Sequence, residues 1–239
     1  MTTAQVRAYL LDVEGTVAPI SLVSEQLFPY ARAHVADYLK QNLERPDVQE
    51  DLKLLAQENR AELSETSPTF GIEIRNELHA RTYLLWLMDH DRKSTALKSL
   101  QGKIWKVGFE SGQLKGTLFA DVPDAFARWS KTGKVAIYSS GSVEAQQLLF
   151  RYSTYGDLTP LITGYFDSRT GLKSASASYT AIAEKLGVHP ADVIFFSDAV
   201  PELDAARQAG CQTKLVDREG NPPVEDAHGH DMIESFSPV

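Results

Sequence analysis

Three short apolar runs in this chain each end directly in a group of polar residues. The runs and the polar groups are Val6–Leu11 before Asp12-Val13-Glu14-Gly15-Thr16, Lys134–Tyr138 before Ser139-Ser140-Gly141-Ser142, and Val193–Phe196 before Ser197-Asp198. Apolar runs of this length, bounded by turn residues, predict buried β-strands. The carboxyl ends of three buried strands would therefore present acidic and hydroxyl side chains together.

Helical patterns alternate with strands in the second half of the chain. The predicted helices there are 121–131, 143–152, 179–186 and 201–210, and a last short strand covers 213–216. Alternating strands and helices predict an α/β fold, in which a doubly wound parallel sheet is covered on both faces. Ligands of such folds bind at the carboxyl ends of the strands.

The stretch between the first strand and residue 118 has a different character. From Leu22 to Glu110 the apolar residues recur at helical spacing, with little strand signal. We therefore expect an all-helical cap inserted after the first strand. The predicted domains are a core of 1–18 with 118–239 and a cap of 19–117. The tail from Pro222 onward is predicted to be irregular, and no function is assigned to it.

Composition excludes several functional classes. The net charge of the 239-residue chain is −8, whereas proteins that bind nucleic acid usually carry a basic surface. Cys211 is the single cysteine, which fits a reducing compartment. We see neither an apolar run long enough to span a bilayer nor a signal-peptide pattern. The expectation is a cytoplasmic monomer that binds no nucleic acid and no membrane.

The polar groups at the strand ends have the chemistry of a phosphoryl-transfer site. Asp12 and Glu14 would face the same way if the strand continued, and Gly15 allows a sharp turn beside them. Paired carboxylates near exposed amides could hold a divalent cation and attack a phosphoryl group. Asp12, Ser139 and Asp198 would all lie along one edge of the sheet. Taken alone, this stretch could equally be an ordinary passage from a strand into a loop, with Glu14 as one of its acidic residues.

A positive charge completes this set. Lys173 lies in Thr170-Gly171-Leu172-Lys173, between the second and third polar groups. A single lysine is more often a surface residue than a functional one. Its position between two strand ends that carry phosphate-compatible side chains is what singles it out.

These residues, in this order, resemble the four motifs of the haloacid dehalogenase superfamily of phosphotransferases. Where most phosphatases of that superfamily have a second aspartate, this chain has Glu14, and the Asp-x-Glu-Gly-Thr variant resembles the enolase-phosphatases of methionine salvage. Other stretches similar to that branch are Leu27–Tyr30, Asp91–Lys93, Thr95–Lys98, Leu100–Gly102, Phe119–Val122 and Ile137–Gln146. The resemblance covers nearly the whole chain and is weakest over Glu44–Phe70 and in the tail.

The resemblance implies a role for each residue at the strand ends. Asp12 would be the nucleophile that forms an aspartyl-phosphate, and Glu14 would protonate the leaving oxygen and later activate water. Ser139 would bind a phosphate oxygen, helped by amides at the start of the next helix, and Ser140 would contact the substrate. Lys173 would neutralise charge on the phosphoryl group and on Asp12.

The resemblance also implies one Mg²⁺ per chain. Its protein ligands would be the Asp12 and Asp198 carboxylates and the main-chain carbonyl of Glu14. Glu202 would orient a metal-bound water.

The implied substrate is a small phosphorylated diketone, 2,3-diketo-5-methylthiopentyl 1-phosphate. It would be enolised and then dephosphorylated to an acireductone, with either Glu14 or a cap residue as the enolisation base. Tyr30, Trp105 and Phe109 are candidates for a pocket around the methylthio tail, although aromatic residues at helical spacing are more often core.

Three alternatives remain open from the sequence. A generic phosphomonoesterase of the superfamily would share every catalytic residue and differ in the cap. A dehalogenase would keep Asp12 without needing Glu14 and Asp198 for a metal. A non-catalytic scaffold would retain only the fold.

Overall fold

The computed structural model describes residues 6–237, and the chain divides into two compact units. The sheet unit consists of the chain up to Val23 together with the chain from Lys115 onward, and the helical unit is Ser24–Leu114. The functional division into a core of 1–18 with 118–239 and a cap of 19–117 stays a prediction.

Eight α-helices lie within the described residues. In chain order they are α1 (Phe28–Asn42), α2 (Pro46–Ala61), α3 (Glu77–Asp89), α4 (Thr95–Glu110), α5 (Val122–Trp129), α6 (Val143–Arg151), α7 (Ser176–Leu186) and α8 (Val200–Gln208). A π-helical segment, Leu22–Leu27, precedes α1, and two 3-10 turns lie at Thr159–Leu161 and Pro190–Asp192. None of the helices in the described part of the chain is long and apolar enough to cross a membrane.

The sheet unit is built on one parallel sheet. Its strands are β1 (Ala8–Leu11), β2 (Lys134–Tyr138), β3 (Gly164–Phe166), β4 (Val193–Ser197), β5 (Gln212–Val216) and β6 (Asp231–Ile233), in the spatial order β3-β2-β1-β4-β5-β6. Leu11 at the end of β1 pairs with Ile137 of β2 on one side and with Phe196 of β4 on the other. The three strands predicted to carry functional residues are therefore neighbours.

Helices cover both faces of the sheet, as adjacent residues of β4 demonstrate. The ring of Phe195 lies 5.0 Å from that of Tyr179 in α7, and the ring of Phe196 lies 5.2 Å from that of Trp129 in α5. Successive strand residues point to opposite faces, so the two phenyl rings enter two separate layers of core. Full burial of each ring contributes about 1.5–3 kcal/mol. The predicted doubly wound α/β fold is confirmed.

Two strands were not predicted. β3 and β6 have three residues each, too few for an alternating pattern to be recognised. The prediction that the tail is irregular is therefore wrong for Asp231–Ile233, which pairs in parallel with β5. Just before it, the buried His230 contacts both the Thr213 hydroxyl, at 2.7 Å, and the Asp204 carboxylate, at 3.1 Å. These polar contacts fix the tail to β5 and α8.

The helical unit packs α1 to α4 around its own apolar core. Tyr83, Leu39 and Leu55 are among the fully buried side chains of this core. At one helix start, the Glu58 carboxylate of α2 accepts a hydrogen bond of 2.9 Å from the Thr95 amide and so caps α4. The Asn59 side chain holds the irregular segment between α2 and α3 by a 2.7 Å hydrogen bond to the carbonyl of Ile72.

Candidate active site

The carboxyl ends of β1, β2 and β4 surround a cavity of about 260 Å³. It is lined by Asp12, Glu14, Ile20, Ser139, Ser140, Lys173, Asp198 and Glu202. The residues predicted from the sequence as catalytic, phosphate-binding or metal-binding thus all lie at one cavity of the sheet unit. Sequence analysis did not identify Ile20, the one apolar residue among those that line it.

An ion-paired lysine lies at the centre of the site. Lys173 Nζ is 2.6 Å from Asp12 Oδ1 and 2.6 Å from Glu202 Oε2, and the Lys173 side chain is 15% exposed. Glu202 also accepts a 3.0 Å hydrogen bond from the Ser197 hydroxyl. Lys173 is therefore a held, largely buried cation rather than a surface lysine.

Asp12 and Glu14 reach the cavity through a turn. They do not lie along the continuing strand that the sequence suggested. β1 ends at Leu11, and the Gly15 amide donates a 2.8 Å hydrogen bond to the carbonyl of Ala18. Gly15 has a φ of +72°, and a Cβ there would lie 2.2 Å from Asp198 Oδ2. Glycine is thus needed both for the left-handed backbone and for the close approach of the Asp198 carboxylate.

The Ser139 hydroxyl is oriented by its own loop. Its oxygen accepts a 3.1 Å hydrogen bond from the Gly141 amide, and the Ser139 amide donates to the carbonyl of Phe166 at 3.1 Å. With one lone pair engaged by Gly141, the hydroxyl proton is directed elsewhere, which suits donation to a bound anion.

Two amides at the start of α6 have partners within the protein. The Val143 amide donates to Asp167 Oδ2 at 3.4 Å, and the Ala145 amide donates to the Ser142 hydroxyl at 3.2 Å. Both donors are engaged by side chains that cap the helix.

Several supporting residues could not be recognised from the sequence. The buried Gln146 side chain donates to the carbonyls of Gly141, at 2.8 Å, and Phe166, at 2.9 Å, and so ties the Ser139 loop to β3. Arg218 Nε donates to the carbonyl of Thr16 at 3.1 Å, and Asn221 Nδ2 donates to that of Gly15 at 2.9 Å. The contacts of Arg218 and Asn221 join residues about two hundred positions apart in sequence, so no local sequence pattern reveals them.

Burial and the charges of neighbouring carboxylates raise the pKa values of Glu14, Asp198 and Glu202. Burial is the main cause for Glu14, followed by the negative charge of Asp12. For Asp198, burial and then the charges of Asp12 and Glu202 raise the pKa to about 7. For Lys173, burial opposes the charged form, but Asp12 and Glu202 outweigh it, so the pKa of its ammonium is raised.

The charge balance of the cavity fits a bound cation. Four carboxylates line it, those of Asp12, Glu14, Asp198 and Glu202, and Lys173 is the one cation among the lining residues. Among the described residues, there is no group of three or more His, Cys, Asp or Glu side chains that could hold a metal ion by themselves. The predicted site does not need such a group, because it combines two carboxylates with a main-chain carbonyl and leaves the remaining coordination positions to water.

The three aromatic candidates for a substrate pocket belong to the helical unit. Phe109 is 2% exposed and is part of the packed interior. Trp105 Nε1 donates a 2.7 Å hydrogen bond to the carbonyl of Leu27, and the Tyr30 hydroxyl donates to Gln113 Oε1 at 2.7 Å. All three side chains are engaged within their own unit, so a role toward the methylthio tail stays a prediction.

Comparison with known proteins identifies the family. Residues 6–210 match the haloacid dehalogenase-like hydrolases. The chain is 55% identical to enolase-phosphatase E1 of Synechococcus elongatus over 90% of each protein. The chain belongs to the enolase-phosphatase E1 family of haloacid dehalogenase-like hydrolases.

Two further relatives extend the comparison. The crystal structure of the UTR4 protein of Saccharomyces cerevisiae is similar with a TM-score of 0.81 and 37% identity, covering 98% of this chain and 100% of that one. A Zea mays protein named probable bifunctional methylthioribulose-1-phosphate dehydratase/enolase-phosphatase E1 is 41% identical over 98% of this chain and 47% of its own length. The similarity therefore spans both the sheet unit and the helical unit.

Proposed function

We propose that this protein is a Mg²⁺-dependent bifunctional enolase-phosphatase. It would convert 2,3-diketo-5-methylthiopentyl 1-phosphate to an acireductone in methionine salvage. The observation that carries the proposal is the 55% identity, across 90% of both chains, to a protein named enolase-phosphatase E1. The Zea mays relative, whose name joins the same activity to a methylthioribulose-1-phosphate dehydratase, supports a methylthio-bearing phosphate as substrate.

In the phosphatase step, Asp12 attacks phosphorus and the ester bond between phosphorus and the leaving oxygen breaks. The product is an aspartyl-phosphate, which water then hydrolyses to phosphate and free Asp12. Lys173, 2.6 Å from Asp12, balances negative charge as two anions approach each other. The Ser139 hydroxyl donates to a phosphate oxygen, and Ser140 contacts the substrate.

Glu14 supplies and removes the proton. Burial and the charge of Asp12 raise the pKa of Glu14 and so favour its protonated form, which suits transfer of a proton to the leaving oxygen. The resulting carboxylate then takes a proton from the water that attacks the aspartyl-phosphate. The two uses restore Glu14 to its starting state.

One Mg²⁺ per chain would be held by the Asp12 and Asp198 carboxylates and the Glu14 carbonyl. When bound, this ion supplies Lewis-acid stabilisation of negative charge on the phosphoryl group and on the diketone. Glu202 lies beside the site and would orient water there.

Enolisation removes a proton from the carbon next to a carbonyl. Glu14 is the candidate base within the cavity, and a residue of the helical unit is the alternative. The helical unit would act as a cap that excludes water. We place the reaction in the cytoplasm, carried out by a monomer that acts on this small molecule and on neither nucleic acid nor membranes.

The decisive experiment separates the two steps on the diketone phosphate. Deuterium exchange from solvent at the reacting carbon reports enolisation, and free phosphate reports dephosphorylation. We expect both, and we expect a chelator to stop both. Phosphate release without enol product or exchange would leave a plain phosphomonoesterase. Failure to hydrolyse even p-nitrophenyl phosphate with Mg²⁺ would favour a dehalogenase or a non-catalytic scaffold.

A further inference from the structure

The segment that carries Lys173 is irregular, yet three of its consecutive carbonyl groups each accept a hydrogen bond from a hydroxyl. The pairs are Tyr138 to the carbonyl of Gly171 at 3.0 Å, Ser178 to that of Leu172 at 2.8 Å, and Tyr179 to that of Lys173 at 2.7 Å. Irregular segments usually satisfy their backbone groups with water. Here side-chain hydroxyls hold the main chain from Gly171 up to and including Lys173.

The three donors are rigidly placed. Tyr138 ends β2, directly before Ser139, while Ser178 and Tyr179 lie in the first turn of α7. Their exposed fractions are 0%, 3% and 1%. The two tyrosine rings pack edge to face with centroids 5.7 Å apart. Each hydroxyl is thus fixed by core packing of the sheet unit and not by the segment it binds.

Gly171 makes room for this arrangement. Its φ is +146°, and a Cβ at this position would lie 2.2 Å from the Ser178 hydroxyl oxygen. The backbone therefore approaches Ser178 more closely than any other residue type would permit.

The consequence concerns the position of the Lys173 ammonium group. A lysine side chain is long and flexible, so two short ion pairs do not by themselves fix its base. Lys173 Nζ nevertheless lies 2.6 Å from both Asp12 and Glu202, and 5.9 Å from the centre of the Tyr138 ring. Hydrogen bonds at its own carbonyl and at the two preceding carbonyls define where that side chain starts.

We propose that Tyr138, Ser178 and Tyr179 form a hydroxyl cradle that positions Lys173 for the phosphoryl group. They are positioning residues and do not contact the substrate. The inference rests on the proposed function, in which Lys173 neutralises phosphoryl charge. It adds three residues that donate hydrogen bonds to the main chain of the segment that carries Lys173.

The test deletes single hydroxyls. Tyr138→Phe and Tyr179→Phe each remove one donor and leave the ring in place. The matched control is Tyr165→Phe on β3, because the buried Tyr165 hydroxyl has no hydrogen-bond partner among residues 6–237. We expect the two cradle variants to lose roughly three- to thirty-fold in kcat/KM on p-nitrophenyl phosphate, the worth of one buried hydrogen bond. Tyr165→Phe should stay within about twofold of the parent.

A double-mutant cycle separates positioning from a general loss of structure. If the Tyr179 hydroxyl acts through Lys173, Tyr179→Phe should cause no further loss in a Lys173→Met background. Equal losses in the two backgrounds, or no loss in the parent, would overturn the proposal.

A readout that needs no turnover keeps the proposal distinct from the proposed function. The ¹⁵N signal of the Lys173 ammonium, identified by its absence in Lys173→Met, reports whether this group is held in its ion pairs. We expect a signal protected from solvent exchange in the parent and in Tyr165→Phe, and a broadened signal in the cradle variants. An inactive protein with this pattern would reject the proposed function and retain the cradle. An active one with unchanged signals in all variants would reject the cradle alone.

Discussion

In the proposed mechanism, Asp12 is the residue on which phosphate release depends most directly. It is 6% exposed and paired with Lys173 at the end of β1. Asp12→Asn should reduce phosphate release at least about a hundredfold, because an amide oxygen cannot form the acyl phosphate. The fold should be retained, as measured by circular dichroism and thermal unfolding. Turnover above about one hundredth of the parent rate would contradict the assignment of Asp12 as nucleophile.

Glu14 separates the two proposed chemistries. Glu14→Gln keeps the size of the side chain and removes its proton transfer, so phosphate release should fall, typically by about 10²–10⁴-fold. Deuterium exchange into the diketone phosphate should fall as well only if Glu14 is also the enolisation base. Measuring both in one sample decides this. A variant that releases phosphate at the parent rate would show that another group protonates the leaving oxygen.

At the scale of elements, the loop after β1 depends on a glycine. Gly15→Ala would place a Cβ against Asp198 Oδ2 in addition to straining a positive φ. We expect lower thermal stability and weaker Mg²⁺ binding by calorimetry. Gly220→Ala is the matched control, because Gly220 has a φ of +92° with nothing within 4 Å of its Cβ position. Both variants carry backbone strain of about 1–2 kcal/mol. Only Gly15→Ala should affect the metal, and equal Mg²⁺ affinities would contradict this explanation.

Arg218 joins several elements of the sheet unit. Its side chain is 5% exposed, pairs with Asp121 at 3.0 Å, and donates to the carbonyls of Thr16 and Glu234. Removing one partner of a buried ion pair leaves the other charge unpaired, so Arg218→Met should cost about 3–5 kcal/mol in the free energy of unfolding. Arg45→Met breaks an exposed pair and should cost far less. Denaturant unfolding of both variants measures the difference, and equal losses would show that burial of the Arg218 pair is unimportant.

The same elements show what sequence could predict. β1, β2 and β4 have four or five residues each and are largely buried, so their apolar runs are visible, and parallel pairing brings their ends together. β3 and β6 are too short for such a signal. Gln146 and Arg218 resemble ordinary polar residues of a helix and a loop. Their burial arises only when distant carbonyls meet them in the folded chain, and no local pattern encodes that.

At the scale of the whole molecule, folding brings carboxylates from separate strand ends to one cavity. Asp12 and Asp198 are almost two hundred residues apart in sequence, yet both line it. Their repulsion opposes folding, and a bound divalent cation would relieve it. Because the proposed ion would bind where folding has assembled its ligands, Mg²⁺ should raise the thermal unfolding temperature.

The pH dependence of stability tests this coupling through Asp198. Its pKa is about 7 in the folded, metal-free protein, against an ordinary value of 3.8. Between these values the folded state binds more protons than the unfolded state, so the contribution of Asp198 to the free energy of unfolding falls as pH rises. Asp198→Asn removes that contribution. In chelator, the variant should therefore gain stability relative to the parent as pH rises from about 4 to about 8.

In saturating Mg²⁺ we expect the parent, and not Asp198→Asn, to be the more stable protein at high pH. The parent then gains binding energy that Asp198→Asn lacks, and Asp198→Ala should lose both metal affinity and activity, with partial rescue at high Mg²⁺. Thermal unfolding of parent and variants across pH, with Mg²⁺ and with chelator, measures both effects. Parallel stability curves in chelator would show that burial and neighbouring charges do not raise the pKa of Asp198. Parallel curves in Mg²⁺ would exclude Asp198 as a ligand.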